Sequence, residues 1–184
     1  MEKHEEIGHS LNFTYIHAAF IIGAVFTYLV DQVLDLILAT TYIYDGHYAY
    51  AAIILVIVLL PSLIVQIFSV RWHQIDGVMT RPKWTIHVLL MGVLHRYLDV
   101  LNLGLEAMKT GHFEDMQRFY QRESDVCMLR LFDSFGESAP QIVFHLYVMI
   151  IQYVSAWPLE QALWTGMSAT ASVMSLGYGI AAYR

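Results

Sequence analysis

Charged side chains are scarce in this chain. Of its 184 residues 14% are Asp, Glu, Lys or Arg, against about 25% in an ordinary water-soluble domain. Cysteine is nearly absent: Cys127 stands alone, which excludes an internal disulfide framework. It sits at the inner end of an expected span and is read as a packed thiol. No basic patch with interleaved aromatics occurs, so nucleic acid is not expected as a partner. Nucleophile elbow, P-loop and cysteine–histidine zinc patterns are all missing. His4-Glu5 with His9 is one residue too widely spaced for a metalloprotease motif. The sequence therefore gives no case for an enzyme doing covalent chemistry, and no catalytic residue, cofactor or metal set is read from it. A cleavable signal peptide is not expected either. MEKHEEIGHS has more acids than bases, and the apolar run behind it is too long.

What the chain has in quantity is hydrophobic surface, 57% of its residues at a mean hydropathy of +0.50. Three runs carry no charge: Ile7 to Val30, Gly46 to Val70, and Gln161 to Tyr183. Each exceeds the roughly 20 residues that a membrane helix needs. The expectation is an all-α, polytopic helical membrane protein forming one membrane domain over residues 1–184. Four spans are placed at about 12–41, 48–70, 125–156 and 163–183, from run length and turn signals. Asp45-Gly46 and Trp157-Pro158 mark tight turns, and Asp76-Gly77 and Arg81-Pro82 break the longer connection. Trp84 to His95 is uncharged but too short to cross. It is read as a re-entrant or interfacial helix continuing in amphipathic form to about residue 105. Lys109 to Arg122 is expected to be charged and solvated. Pro61 is expected to kink the second span. Gly166, Ser168, Ala169, Ser172, Ser175, Gly177 and Gly179 are expected to let the fourth span pack closely.

Seven of the ten Lys and Arg residues lie between Arg71 and Arg122. The positive-inside rule puts that connection, and both chain ends, in the cytoplasm. Asn12-Phe13-Thr14 then faces the cytosol, and its match to a glycosylation acceptor is read as chance.

Within the third expected span the polar positions Arg130, Asp133, Ser134, Glu137, Gln141, His145 and Gln152 fall on one side. The first span adds Asp31 and Asp35 on a shared face, and the second adds Gln66. A charge at the bilayer centre costs about 2.5–3.5 kcal/mol on an insertion scale, so these groups turn away from lipid and mark a functional site by default. By residue rise Asp31 and Asp35 are expected in the outer half of the bilayer, Asp133 and Glu137 in the inner half. With Arg130, Gln66 and Gln141 they would form a polar ladder between leaflets. Two readings stay open: the acids fix helix register through buried pairs, or they line a route for a polar group.

Three blocks resemble the XK-related family of membrane proteins: ESDVCMLRLFDSFGESAPQIVFHLYVMI (Glu123 to Ile150), LVDQVLDLILA (Leu29 to Ala39) and SLIVQIFSVRWH (Ser62 to His73). The resemblance implies ATP-independent phospholipid scrambling, as in phosphatidylserine exposure during apoptosis at the plasma membrane. Membrane phospholipids are then the substrate, and Asp31, Asp35, Asp133, Glu137 and Gln141 belong to a hydrophilic path. It also implies about twice as many membrane segments as are present here, so this stretch corresponds to an amino-terminal half that would pair with a second half or a second copy. Other readings are a scaffold for a single-span partner protein and, ranked last for want of a Gly/Pro-broken helix pair, half of a solute or ion transporter.

Overall fold

The computed structural model describes residues 13–75, 85–87, 91–155 and 157–183. The leader Met1 to Ser10, Asn12, the breakers after Ile75, Trp84 and residues 88–90 lie outside the described residues. Four of the twelve residues of the expected re-entrant segment, 84 and 88–90, are therefore not described.

Among the described residues every element is helical. Helix α1 (Tyr15–Tyr44) and helix α2 (Tyr48–Ile75) form a hairpin. Gly46 turns it at φ 80°, a left-handed conformation that favours glycine. Both helices are long and apolar enough to cross a membrane. Residues 85–87 make a short helical piece. Helix α3 (Gly92–Thr110) ends on Gly111 at φ 64°, and helix α4 (Phe113–Asp133) packs back on it. A π-helical segment (Ser134–Ser138) joins α4 to helix α5 (Ala139–Val154), and helix α6 (Leu159–Ala182) returns along α1 and α5.

The π segment has a local cause. Pro140 offers no N–H, and its ring crowds the carbonyl four residues back. The chain answers with a wider turn in which the Ala139 N–H reaches the Ser134 carbonyl, five residues away. Helix α2, in contrast, runs on through Pro61. Pro61 packs against the π segment: a Cβ on Gly136 would lie 3.1 Å from the Pro61 Cβ. The irregular point of one helix thus abuts the proline of its neighbour, a pairing that reading the spans separately missed.

Lys109 to Arg122, expected to be solvated, is helical from Phe113 and partly packed. Phe119 is fully buried and meets Phe13 edge-on at 4.9 Å. Charged residues at Lys109, Glu114, Asp115, Arg118 and Arg122 hid an inner face carrying Met116 and Phe119. A Cβ at Gly104 would sit 2.4 Å from the Phe13 ring, so glycine there makes room for it.

The distribution of polarity is inverted. Phe20, Phe26, Val56, Leu60, Ile67, Val143, Ile150, Val173 and Met174 are exposed, while Asp31, Asp35, Arg130, Asp133, Glu137, Gln141, His145, Ser168, Ser172 and Ser175 are buried. Water would drive the opposite arrangement, whereas a hydrocarbon solvent requires polar groups to be satisfied internally.

Candidate functional site: a buried polar seam

The buried polar groups line up where α1, the α4–π–α5 helix and α6 meet. At one end Arg130 donates to Asp133 at 2.7 Å, with both side chains 2% exposed. Its guanidinium also donates to Ser175 and lies 5.0 Å above the Tyr28 ring. One turn on, Ser138 donates to Asp31 at 3.3 Å and Ser172 donates to the other Asp31 oxygen at 3.0 Å. Gln32 donates to Glu137. Next come Asp35, accepting from Ser168 at 2.5 Å, and His145, whose Nε2 lies 3.4 Å from the Ser168 hydroxyl. At the far end the Gln152 amide donates to Tyr42 and to Thr165, 3.1 and 3.0 Å away, and Gln161 donates to Asp45.

The helix periodicities explain the alignment. Asp31 and Asp35 are one turn apart on α1. Thr165, Ser168, Ser172 and Ser175 repeat at intervals of three and four on α6, and all four are fully buried. The serines that the sequence reading assigned to close packing are therefore the partners of the acids. Gly179 alone of the glycines on α6 does the packing work. A Cβ there would lie 2.2 Å from the Ser134 Oγ and 2.8 Å from its Cβ, while Gly166 and Gly177 face open space.

The expected depths need correction. A carboxylate oxygen of each of Asp31, Asp35 and Glu137 lies within 4.8 Å of the others, so Glu137 is level with the two aspartates and not in the opposite half. Counting the third span from Asp125 set Glu137 too shallow, because α4 is already helical from Phe113. Gln66 pairs differently from the ladder expected. It meets the His87 ring at 2.7 Å and so ties α2 to the short helical piece. Arg96, not singled out from sequence, bonds the Ser69 hydroxyl at 2.6 Å and carbonyl at 2.9 Å and stacks over Trp72.

Four acids and one arginine share the seam. Fully ionised, they would carry three excess negative charges (four minus one), which a dry interior does not hold without protons or a cation. Asp31, Asp35 and Glu137 offer the hard oxygen donors that a divalent cation such as Ca²⁺ uses, a grouping that no single run of sequence displays. Several buried atoms here also lack hydrogen-bond partners among the described residues: Asp35 Oδ2, Arg130 Nε, Ser134 Oγ, His145 Nδ1 and both amide atoms of Gln141, which lies beside Asp35. Each such orphan costs about 1–3 kcal/mol. A set of pairs serving only to lock helix register would be fully satisfied. This one has unused donors and acceptors at its middle.

The fold and the seam together define an all-helical protein with a polar interior and two helices long and apolar enough to cross a membrane. A family model described as "XK-related protein" matches residues 19–184. The chain belongs to the XK-related family. It is similar to XK-related protein 8 of Tetraodon nigroviridis, 29% identical in an alignment 166 residues long, with 78% of this chain and 41% of that protein covered. It is also similar to XK-related protein 9 of the same organism, 27% identical in an alignment 147 residues long, with 68% of this chain and 38% of the relative covered. The chain thus spans about two-fifths of the length of the curated relatives it matches.

Proposed function

We propose that this chain supplies the polar seam of a passive phospholipid scramblase of the plasma membrane, in which headgroups cross between leaflets while acyl chains stay in lipid. The observation that carries this reading is the set of unsatisfied polar atoms around Asp35, Gln141 and His145 in a molecule whose outer surface is apolar. Such a seam can exchange its internal hydrogen bonds for bonds to a headgroup at modest net cost, since one such bond contributes about 0.5–1.5 kcal/mol. Arg130 provides the phosphate-binding charge, and the acids engage ammonium-bearing headgroups. No covalent step is involved. In this reading α1, α2, the α4–π–α5 helix and α6 all span the bilayer. Support comes from the exposed Val143, Leu146 and Ile150 of α5 and Leu163, Met167, Val173 and Ile180 of α6, which form apolar outer faces like those of α1 and α2. Both chain ends then lie on the cytoplasmic side with the basic connection.

Dye-labelled phospholipid exchange in vesicles tests the proposal. With the full-length protein reconstituted, Asp35→Ala and Glu137→Ala are expected to cut the rate by tenfold or more while membrane insertion is unchanged. Exchange at the wild-type rate in both variants would refute it. A second reading, a scaffold for a single-span membrane protein or for a second copy of the chain, is favoured by one observation: Asp31, Asp35, Asp133 and Glu137 are all sealed from the surface in this conformation. Stoichiometric crosslinking to one partner with no lipid exchange would select it.

A further inference from the structure

A cavity of about 330 Å³ lies at the end of the bundle where α1 begins and α6 ends, separate from the seam acids. Its walls come from four helices: His17, Phe20 and Ala24 of α1, Tyr97 of α3, Glu123 and Cys127 of α4, and Tyr178 of α6 among them. The lining is mixed: Glu123 and His17 are among its polar side chains, and Ile21, Ala24, Val100 and Val126 contribute apolar wall. Phe20 is 59% exposed, so the cavity opens on the apolar outer face of α1.

Glu123 has no hydrogen bond or ion pair among the described residues. Burial raises its pKa above the ordinary carboxyl value, with nearby His17 opposing the shift. His17 accepts the Thr14 N–H at Nδ1, 3.2 Å away, and so caps α1. Tyr97 is 4% exposed, and its hydroxyl also lacks a partner. An apolar cavity with one half-buried carboxylate and two tyrosine rings in its wall selects a cation attached to hydrocarbon, because the carboxylate and the aromatic faces attract the same charge.

We infer that this cavity binds a single-chain amphiphile carrying a primary ammonium, with the ammonium on Glu123 and the alkyl chain between Phe20, Ala24 and Val126. The inference does not need the seam to pass lipids. Two sources share the chemistry, a free long-chain amine and a single-chain (lyso) aminophospholipid.

Cys127 lines the cavity and is the only cysteine of the sequence, so its alkylation by a maleimide reports occupancy. In phosphatidylcholine nanodiscs holding the full chain, dodecylamine is expected to slow alkylation saturably. Dodecanol should need about tenfold more, the difference a charged hydrogen bond makes, and laurate should not protect. Glu123→Gln should erase the amine-over-alcohol preference, with protection in each protein measured against its own alkylation rate in the absence of amphiphile, because the Glu123 charge also acts on the Cys127 thiol. Ala24→Phe, which fills the cavity, should remove protection by every compound. If lysophosphatidylethanolamine protects as well as dodecylamine, the ligand is an aminophospholipid; if only the free amine protects, it is a long-chain base. Equal protection by amine, alcohol and acid, no protection by any, or an amine preference that survives Glu123→Gln would each overturn the inference.

Discussion

Replacing Arg130 by Met separates a dry seam from a wet one. The change removes the guanidinium that pairs with Asp133, along with the bond to Ser175 and the contact with Tyr28. Both partners of the pair are 2% exposed. A buried charge left without its counter-ion costs about 3–5 kcal/mol, about a fifth or more of the 5–15 kcal/mol that holds many domains together. Arg130→Met alone should therefore be strongly destabilised. The double variant Arg130→Met with Asp133→Leu removes both charges and should recover most of the loss, because two apolar groups of similar size need no counter-ion. Thermal unfolding in detergent micelles, followed by tryptophan fluorescence, measures wild type, both single variants and the double variant side by side. The expected coupling is about 2 kcal/mol or more, well beyond the few tenths typical of independent sites. If the double variant melts no higher than Arg130→Met alone, water already solvates Asp133 and the seam is not dry at this level. In the lipid-passage reading the recovered double variant should still fail to exchange phospholipid, since the phosphate-binding charge is gone.

Gly179→Val should push α6 away from the π segment, because the new Cβ would meet the Ser134 Cβ at 2.8 Å and that atom cannot rotate aside. A loss of about 3 kcal/mol in the same melting assay is expected, with Gly177→Val near neutral as the control. Gly92→Ala should dislodge His87 from Gln66, whose atoms lie 2.1 and 2.2 Å from the added carbon. Faster proteolysis near residues 85–87, with little change in the main melting transition, is the expected result. Glu123 gives a pH dependence of known sign. Its folded-state pKa is raised from 4.5 by burial, so its contribution is fully present below that value and is lost as pH rises through the folded pKa. The melting temperature of Glu123→Gln minus that of wild type should grow from pH 4 toward pH 7, and a flat difference would contradict the burial of this carboxyl.

The helices of the hairpin were legible because their apolar runs are long and Asp45-Gly46 has one physical meaning. The acids were legible because charge inside such runs is expensive wherever it occurs. Their partners were not. Asp31 and Asp35 advertise a shared face, but nothing in a linear reading says that Glu137, about a hundred residues away in the chain, lies level with them. That register depends on how far α4 extends before the span begins. The α6 serines carried a usable signal: Thr165, Ser168, Ser172 and Ser175 repeat at helical spacing, the pattern already used to find the acidic stripe. Their small size suggested close packing first and hid the hydroxyls. The bond from Gln66 to His87 was not legible, because His87 sits on a segment whose depth the sequence could not fix.

The hydrogen bonds also show where the seam would part. Helix α1 is tied to the α4–π–α5 helix through Ser138–Asp31 and Gln32–Glu137, and to α6 through Ser172–Asp31, Ser168–Asp35 and Tyr42–Thr165. The α4–π–α5 helix meets α6 through Arg130–Ser175 near one end of the seam and Gln152–Thr165 near the other. Between those ends only the 3.4 Å approach of His145 to Ser168 joins them among the described residues. That is too long for a strong bond, and Gln141 and the Nδ1 of His145 stand unpartnered beside it. The middle of the α5–α6 contact is thus the least costly line to open, and the π segment just before α5 is the kind of helix defect that lets one half move against the other. A cysteine pair at His145 and Ser168, in a Cys127→Ser background, should abolish dye-lipid exchange when oxidised and restore it on reduction. Exchange that continues with the pair crosslinked would place the opening between other helices and remove the seam's middle from the lipid route.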